Sequence, residues 1–303
     1  ATRAAGVASA APQPPTDAAP EHPQPAAGGG GDAVVDQVAA SADAASPYRD
    51  RAVDAIVGLS MTQRQLTFTY RSTLNAALRP ATYAGGLNPG AMLDATVYPM
   101  SLDHTNHGLA TNLGVHVLYD RVLRIDTKDR DGLSYDSSSS RVGLGVALRY
   151  PIGAATTAPI VNASLDYAEH AFAVAATTAN QTGFPSVSYS LFAPSAGVRL
   201  PLGARLVLGA DVRVLVITSA GQIEDVAQYG ATSALGFEGA ASVEYALTPS
   251  LFARGGVRYE TIGLNFQGAG AMAVARDEDP STVDVTAARD SYFAFSVTVG
   301  YAY

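Results

Sequence analysis

Few groups in this chain are able to do chemistry. It has no cysteine, which excludes a thiolate nucleophile, a thiolate metal site and a disulfide scaffold. Its five histidines are His22, His104, His107, His116 and His170. His104 and His107 follow Asp103 with the spacing of half a metal site. No third ligand follows at a usable distance, so a solvated turn is expected. Asp126, Asp129 and Asp131-Gly132 approach the spacing of a calcium loop but lack its first aspartate and closing glutamate, which leaves a polar surface loop. Asp277-Glu278-Asp279-Pro280, with Asp284 and Asp290, is acidic enough to attract divalent cations at a surface, and is read as a solubilising loop. Asp166 and His170 share one face of a strand near its outer end. No Asp-Asp pair accompanies them, and no Gly-x-Ser-x-Gly elbow occurs. Gly28 to Gly31 with Asp32 lacks the Gly-Lys-Ser/Thr ending of a phosphate loop. No catalytic set, metal or cofactor is expected.

The elements that must position these groups show a period of two. Phe293, Phe295, Val297, Val299, Tyr301 and Tyr303 fill every odd position of the last run, with small or polar residues between. That is a strand and not a helix. Leu206-Leu208-Ala210-Val212-Val214-Val216, Val142-Leu144-Val146-Leu148-Tyr150 and Leu113-Val115-Val117-Tyr119 read the same way. The first run slips parity, from Leu59-Met61 to Leu66-Phe68-Tyr70, and a bulge at Gln63–Gln65 would account for it. Strands end at Tyr98-Pro99, Tyr150-Pro151, Leu200-Pro201, Thr248-Pro249 and Tyr303, about every fifty residues, which is a hairpin repeat. Ten strands are expected, near 56–71, 90–99, 109–123, 137–150, 159–173, 186–200, 205–218, 232–247, 250–266 and 290–303. Short turns alternate with long loops, the layout of an up-and-down membrane barrel.

Composition agrees. Charged residues make up 15% of the 303, against ~25% in an ordinary soluble domain. Lys128 is the one lysine. No apolar run approaches the ~20 residues of a membrane helix. A net charge of −8 leaves no basic footprint for nucleic acid, so none is expected as a partner. Residues 1–52 form a separate segment, rich in Ala, Pro and Gly, with almost no bulky residue to offset the entropy of ordering. It is expected to be a disordered extension before a barrel over 53–303.

A soluble sandwich also alternates. In such a fold, however, the outward face would carry Lys and Glu, whereas here the faces opposite the bulky ones carry the charges. Those faces place Arg64, Asp94, Thr96, His116, Asp120, Arg141, Arg149, Asp166, His170, Arg199, Asp211, Arg213, Glu238, Glu244, Arg254, Arg258 and Glu260 in the lumen. Buried charges demand partners, and cross-strand, bidentate Arg–carboxylate pairs are expected. The plain reading is a polar plug. The sharper one is a narrow conduit or small-ligand pocket, for which Gly143, Gly145, Gly197, Gly209, Gly236 and Gly256 leave room. Aromatics near the strand ends read as two interfacial girdles, with Tyr98, Tyr150, Tyr245, Tyr301 and Tyr303 at one end and Phe68, Tyr70, Tyr119, Tyr259 and Phe293 at the other.

The ending from Phe293 to Tyr303 resembles the C-terminal β-signal of bacterial outer-membrane β-barrel proteins. It departs from that pattern at Thr298, where glycine is preferred. Leu247-Thr248-Pro249-Ser250 resembles the short turns of small members of that family. The resemblance implies an all-β, closed antiparallel transmembrane barrel in the outer membrane of a Gram-negative bacterium, with both termini periplasmic. It implies outer-membrane lipid as surroundings and the barrel-assembly machinery as a partner that reads Phe293, Phe295, Val297, Val299, Tyr301 and Tyr303. A periplasmic or extracellular protein partner would meet the extension or the long loops. The expected role is structural or interacting rather than enzymatic. The alternatives are a narrow channel for small solutes and an omptin-like or lipase-like surface hydrolase, since ten strands is also the size of the omptin proteases, similar in architecture only.

Overall fold

The computed structural model describes residues 51–303, apart from 104–107, 129–133, 156, 176–184, 269 and 275. Its strands are β1 (Val53–Tyr70), β2 (Tyr83–Ala84), β3 (Asn88–Val97), β4 (Leu113–Lys128), β5 (Ser134–Pro151), β6 (Ile160–Val174), β7 (Val187–Pro201), β8 (Leu206–Ser219), β9 (Thr232–Ala246), β10 (Leu251–Phe266) and β11 (Val285–Ala302). Neighbours in the ring pair antiparallel, and β11 pairs back onto β1. The result is a closed up-and-down barrel of ten long strands. The two-residue β2 adds a short pairing to the upper part of β1, at Gln65 and Leu66. Closure leaves no free edge, as the alternating sequence requires if its bulky face is to meet an apolar surround.

The bulge expected at Gln63–Gln65 is absent. The β1–β11 register runs unbroken from Asp54↔Ala302 to Thr69↔Ala287 and shifts only at Thr69/Tyr70. The parity slip has another cause: the surroundings of the wall change with height. Low on β1, Val57, Leu59 and Met61 point outward and are exposed. Higher up, Gln63 and Gln65 take the outward positions, and Leu66 and Phe68 turn inward and are buried. The same exchange occurs on β6, where Leu165 and Tyr167 give way to Glu169 outside, and Asp166 gives way to Phe172 and Val174 inside. On β10 the outer face passes from Val257 and Tyr259 to Asn265. Its inner face passes from Arg254 and Glu260 to Ile262, Leu264 and Phe266.

The barrel therefore has two storeys. Toward the short turns, the outside is apolar and the inside polar. Toward the long connections, the inside is an ordinary apolar core. Leu66, Phe68, Tyr83, Phe172, Leu215 and Ile262 belong to that core, joined by Ile223, Tyr229 and Ala273 from the connections. Tyr229 stacks on Phe68 at 5.1 Å and on Phe266 at 4.7 Å, so one loop residue ties β1 to β10 across the top. Three aromatics expected in girdles are thus elsewhere. Tyr70 packs against this core. Phe68 is part of this core, and Tyr98 is buried beneath the Arg149 guanidinium, 3.8 Å from its ring centre. Tyr119, Tyr150, Tyr245, Tyr259, Tyr301 and Tyr303 do face outward.

Candidate functional site

The polar storey is held at three heights. At the base, Arg51 meets Glu244 at 2.6 Å and Asp54 at 2.9 Å, and Arg254 meets the same two carboxylates at 2.9 and 3.2 Å. Both guanidinium groups lie over the Phe252 ring, at 4.5 and 5.1 Å. Phe252 fits because Gly300 opposite has no side chain; a Cβ there would enter the ring. Arg149 donates to the Arg51 carbonyl and to Ser101 Oγ. Arg199 pairs with Asp211 at 2.8 Å.

At mid-height, the bonds cross the lumen. Arg141 on β5 reaches Glu238 on β9 at 2.6 Å and lies 3.7 Å from Glu260 on β10. Arg258 on β10 reaches Asp120 on β4 at 3.0 Å, and Ser60 Oγ donates to the same carboxylate at 2.8 Å. His116 lies between two carboxylates, with Nδ1 2.7 Å from Asp166 and Nε2 3.3 Å from Asp94. Gly145 makes this possible. It separates His116 from Asp166 in the pairing register, and a Cβ on it would occupy the position of the Asp166 carboxylate. Ser164 Oγ donates to Asp166 at 2.8 Å and lies 2.7 Å from Ser195 Oγ.

At the top of the polar storey, Arg64 donates twice to Asp290, through Nε at 2.8 Å and Nη2 at 2.7 Å. Tyr189 and Tyr292 hydroxyls donate to Asp290 Oδ2 at 2.9 and 3.1 Å. The Arg64 guanidinium packs 4.0 Å from the Phe172 ring, the floor of the apolar core. His170 lies in this layer, 2.8 Å from Glu260 and 4.2 Å from the Tyr292 ring centre.

All the expected lumen residues thus point inward, and their pairs are of two kinds. Arg64–Asp290, Arg199–Asp211 and Arg254–Glu244 join neighbouring strands, as expected, whereas Arg141–Glu238, Arg258–Asp120 and His170–Glu260 cross the lumen, because these side chains are long enough to span so narrow a barrel. Among the pairs just described, only Arg64–Asp290 is bidentate through two oxygens. The Asp166–His170 couple is not assembled: Asp166 serves His116, and His170 is buried on Glu260 instead of standing at the rim. Asp284 and Asp290, expected in a solvated loop, are fully buried. Asp284 and Asp277 both clasp Arg71, and the Arg276 amide donates to Asp284 at 2.7 Å. Asp279 accepts from the Ser281 amide and hydroxyl, and these bonds hold its carboxyl below the usual range. Arg51 and Asp54 escaped sequence reasoning, because Arg51 stands at the end of a segment without periodicity. Asp290 continues the even parity of β11, a signal that was available. His22, His104, His107, Asp129, Asp131 and Gly132 lie outside the described residues. Among the described residues, no group of three or more His, Cys, Asp or Glu is placed to hold a metal.

Between the base and the crossing bonds lies a cavity of about 220 Å³. Asp54, Asp94, His116, Asp120, Arg199, Asp211, Arg213 and Arg254 are among its lining residues, with hydroxyls from Ser60, Ser164, Ser195, Ser242 and Ser296. Water occupies ~30 Å³ per molecule, so the space suits a handful of waters or one small solute.

No protein-family model matches the chain, and no curated protein matches it. Among solved structures, it is similar to the outer membrane protease OmpT of Escherichia coli, with 9% identity, TM-score 0.42, and 83% of this chain and 96% of that chain covered. It is also similar to the outer membrane protein OprG of Pseudomonas aeruginosa, with 14% identity, TM-score 0.32, and 84% and 97% covered. For Ail of Yersinia pestis, in complex with the heparin analogue sucrose octasulfate, the values are 9%, 0.30, 83% and 99%. At these scores no function transfers, and the architecture rests on the strand pairing itself.

Proposed function

We propose that this chain is an integral outer-membrane β-barrel protein with a closed lumen, acting structurally or through its long connections rather than as an enzyme or open pore. The carrying observation is the inversion of the wall. A continuous outward belt that includes Leu59, Val117, Leu144, Leu165, Val212, Leu235, Val257 and Val297 is exposed, while the charges opposite it are buried. In water, so wide an apolar belt would drive aggregation; in lipid it is solvated. Closure is supported by the apolar core above and the crossing ion pairs below it. The short-turn side then faces the periplasm, and the outward run from Phe293 to Tyr303 is the segment that the assembly machinery would read. Protein partners would meet the long connections, where Arg71, Asp277 and Asp284 hold one loop in shape. The hydrolase alternative draws no support from His170, which is buried.

Two measurements test this. The unboiled protein is expected to migrate differently from the boiled one on SDS gels, and planar bilayers are expected to stay electrically silent. A protein that remains soluble without detergent, with no heat shift, overturns the membrane reading. Resolved channel openings overturn the closed lumen.

A further inference from the structure

Two charged groups in the cavity wall are held only at longer range than the rest of the network. Most of its charged lining has a partner at 3.0 Å or less: Asp54 with Arg51, Asp120 with Arg258, Arg141 with Glu238, Arg199 with Asp211, Arg254 with Glu244, and His116 with Asp166. Arg213 does not. Its guanidinium lies 3.5 Å from Glu238 and 4.0 Å from Asp166, and its buried Nε has no hydrogen-bond partner among the described residues. Asp94 is the anionic counterpart. Its contact in the network is His116 Nε2 at 3.3 Å, and its side chain keeps 31% of its surface accessible. These two are on β8 and β3, which stand opposite each other in the ring. One loosely held cation and one loosely held anion therefore face the same space.

We propose that this cavity is a binding site for a small zwitterion of the amino-acid class. The carboxylate is received by Arg213 and the ammonium by Asp94, and the serine hydroxyls complete the shell. A buried guanidinium favours a planar carboxylate partner, and the Nε of this one has no hydrogen-bond partner among the described residues. The cavity is too small for a drug-sized ligand, which needs ~300 Å³ or more. The other charged groups are engaged with one another, so a solute bearing a single net charge would bring an uncompensated charge into the lumen. A zwitterion brings none. The apolar core and the crossing pairs Arg141–Glu238 and Arg258–Asp120 lie above the cavity.

The test is calorimetric titration of the full chain, folded in detergent, with glycine and L-alanine as probes and with acetate and methylammonium as their single-charge halves. Saturable binding of the amino acids is expected, with the halves at least about tenfold weaker. R213Q and D94N should each weaken amino-acid binding by about tenfold or more while the heat-shifted band persists. Arg213 forms no close pair, so R213Q is expected to fold, and D94N gives an independent reading at the other end. Absence of saturable binding to the native protein overturns the proposal. Equal binding of acetate and glycine, or binding undiminished in both variants, overturns it too.

Discussion

The lower and upper storeys share one continuous wall, yet they follow opposite rules. In the lower storey, Val57, Leu144 and Val212 face outward, and Arg254, Asp120 and Glu238 face inward. In the upper storey, Gln65 and Glu169 face outward, and Leu66, Phe172 and Leu264 face inward. The difference shows what the hydrophobic effect needs. Where the outside is water, hiding Leu66 and Phe172 lowers the free energy. Where the outside is hydrocarbon, hiding an aliphatic group gains little, and the interior is free to be polar provided its charges are matched. Arg64 and Asp290 mark the seam. Their charges belong to the lower storey, and their surroundings of Phe172, Tyr189 and Tyr292 belong to the upper.

The largest expected effect is at that seam. Arg64→Ala leaves Asp290 buried with two phenol donors and no counter-charge, a loss of about 3–5 kcal/mol. The urea midpoint of the folded band should fall accordingly. The joint replacement Arg64→Met with Asp290→Leu should restore most of it, because an apolar pair suits the storey above. If the double variant is no better than the single one, the seam belongs wholly to the polar storey and the division is misplaced.

A truncation within the upper core is next. Phe68→Ala removes the ring that stacks on Tyr229 and should cost about 3–4 kcal/mol. Amide exchange should accelerate in the upper halves of β1 and β10 more than around Arg254 and Glu244. Uniform acceleration would mean that the two storeys unfold as one unit. A smaller loss, about 1–3 kcal/mol, is expected for Gly145→Val, whose side chain displaces Asp166 from His116. A nitrogen NMR shift of the His116 ring would report it.

How much of this was legible beforehand differs between the storeys. The alternation of Phe293 to Tyr303 states the strand, its outward face and, by opposition, the inward Tyr292. Period two is a local property, so the lower wall could be read residue by residue. The partners of the inward charges could not, because Arg141 meets Glu238 across the lumen and no local spacing encodes a distance between opposite walls. The upper storey was misread for a related reason. Leu66 and Phe68 carry the same periodic signal as Leu59 and Met61, but the sequence does not say where the surroundings of the wall change, and a bulge is the cheaper local explanation. The pairing of Glu169 outside with Phe172 inside repeats the same reversal on β6, and two such reversals at one height are the cue that distinguishes a change of solvent from a bulge.

The smallest effect tests whether the upper storey is as apolar as its neighbours suggest. Tyr229 is fully buried between Phe68 and Phe266, and its hydroxyl has no hydrogen-bond partner among the described residues. Burial pushes that hydroxyl up to about 12, against a smaller opposing pull from Arg276. The neutral phenol is therefore the form the fold accommodates. Its contribution is complete below about pH 10, the unfolded value, and is lost as pH rises toward the folded value. Tyr229→Phe keeps both ring stacks and removes the unsatisfied oxygen, so it should stabilise the barrel by about 1 kcal/mol. It should also flatten the loss of stability between pH 10 and 12, which urea midpoints measured in that window would show. A destabilised Tyr229→Phe would mean that the hydroxyl has a partner inside the cap, and the upper storey would then need a polar network of its own.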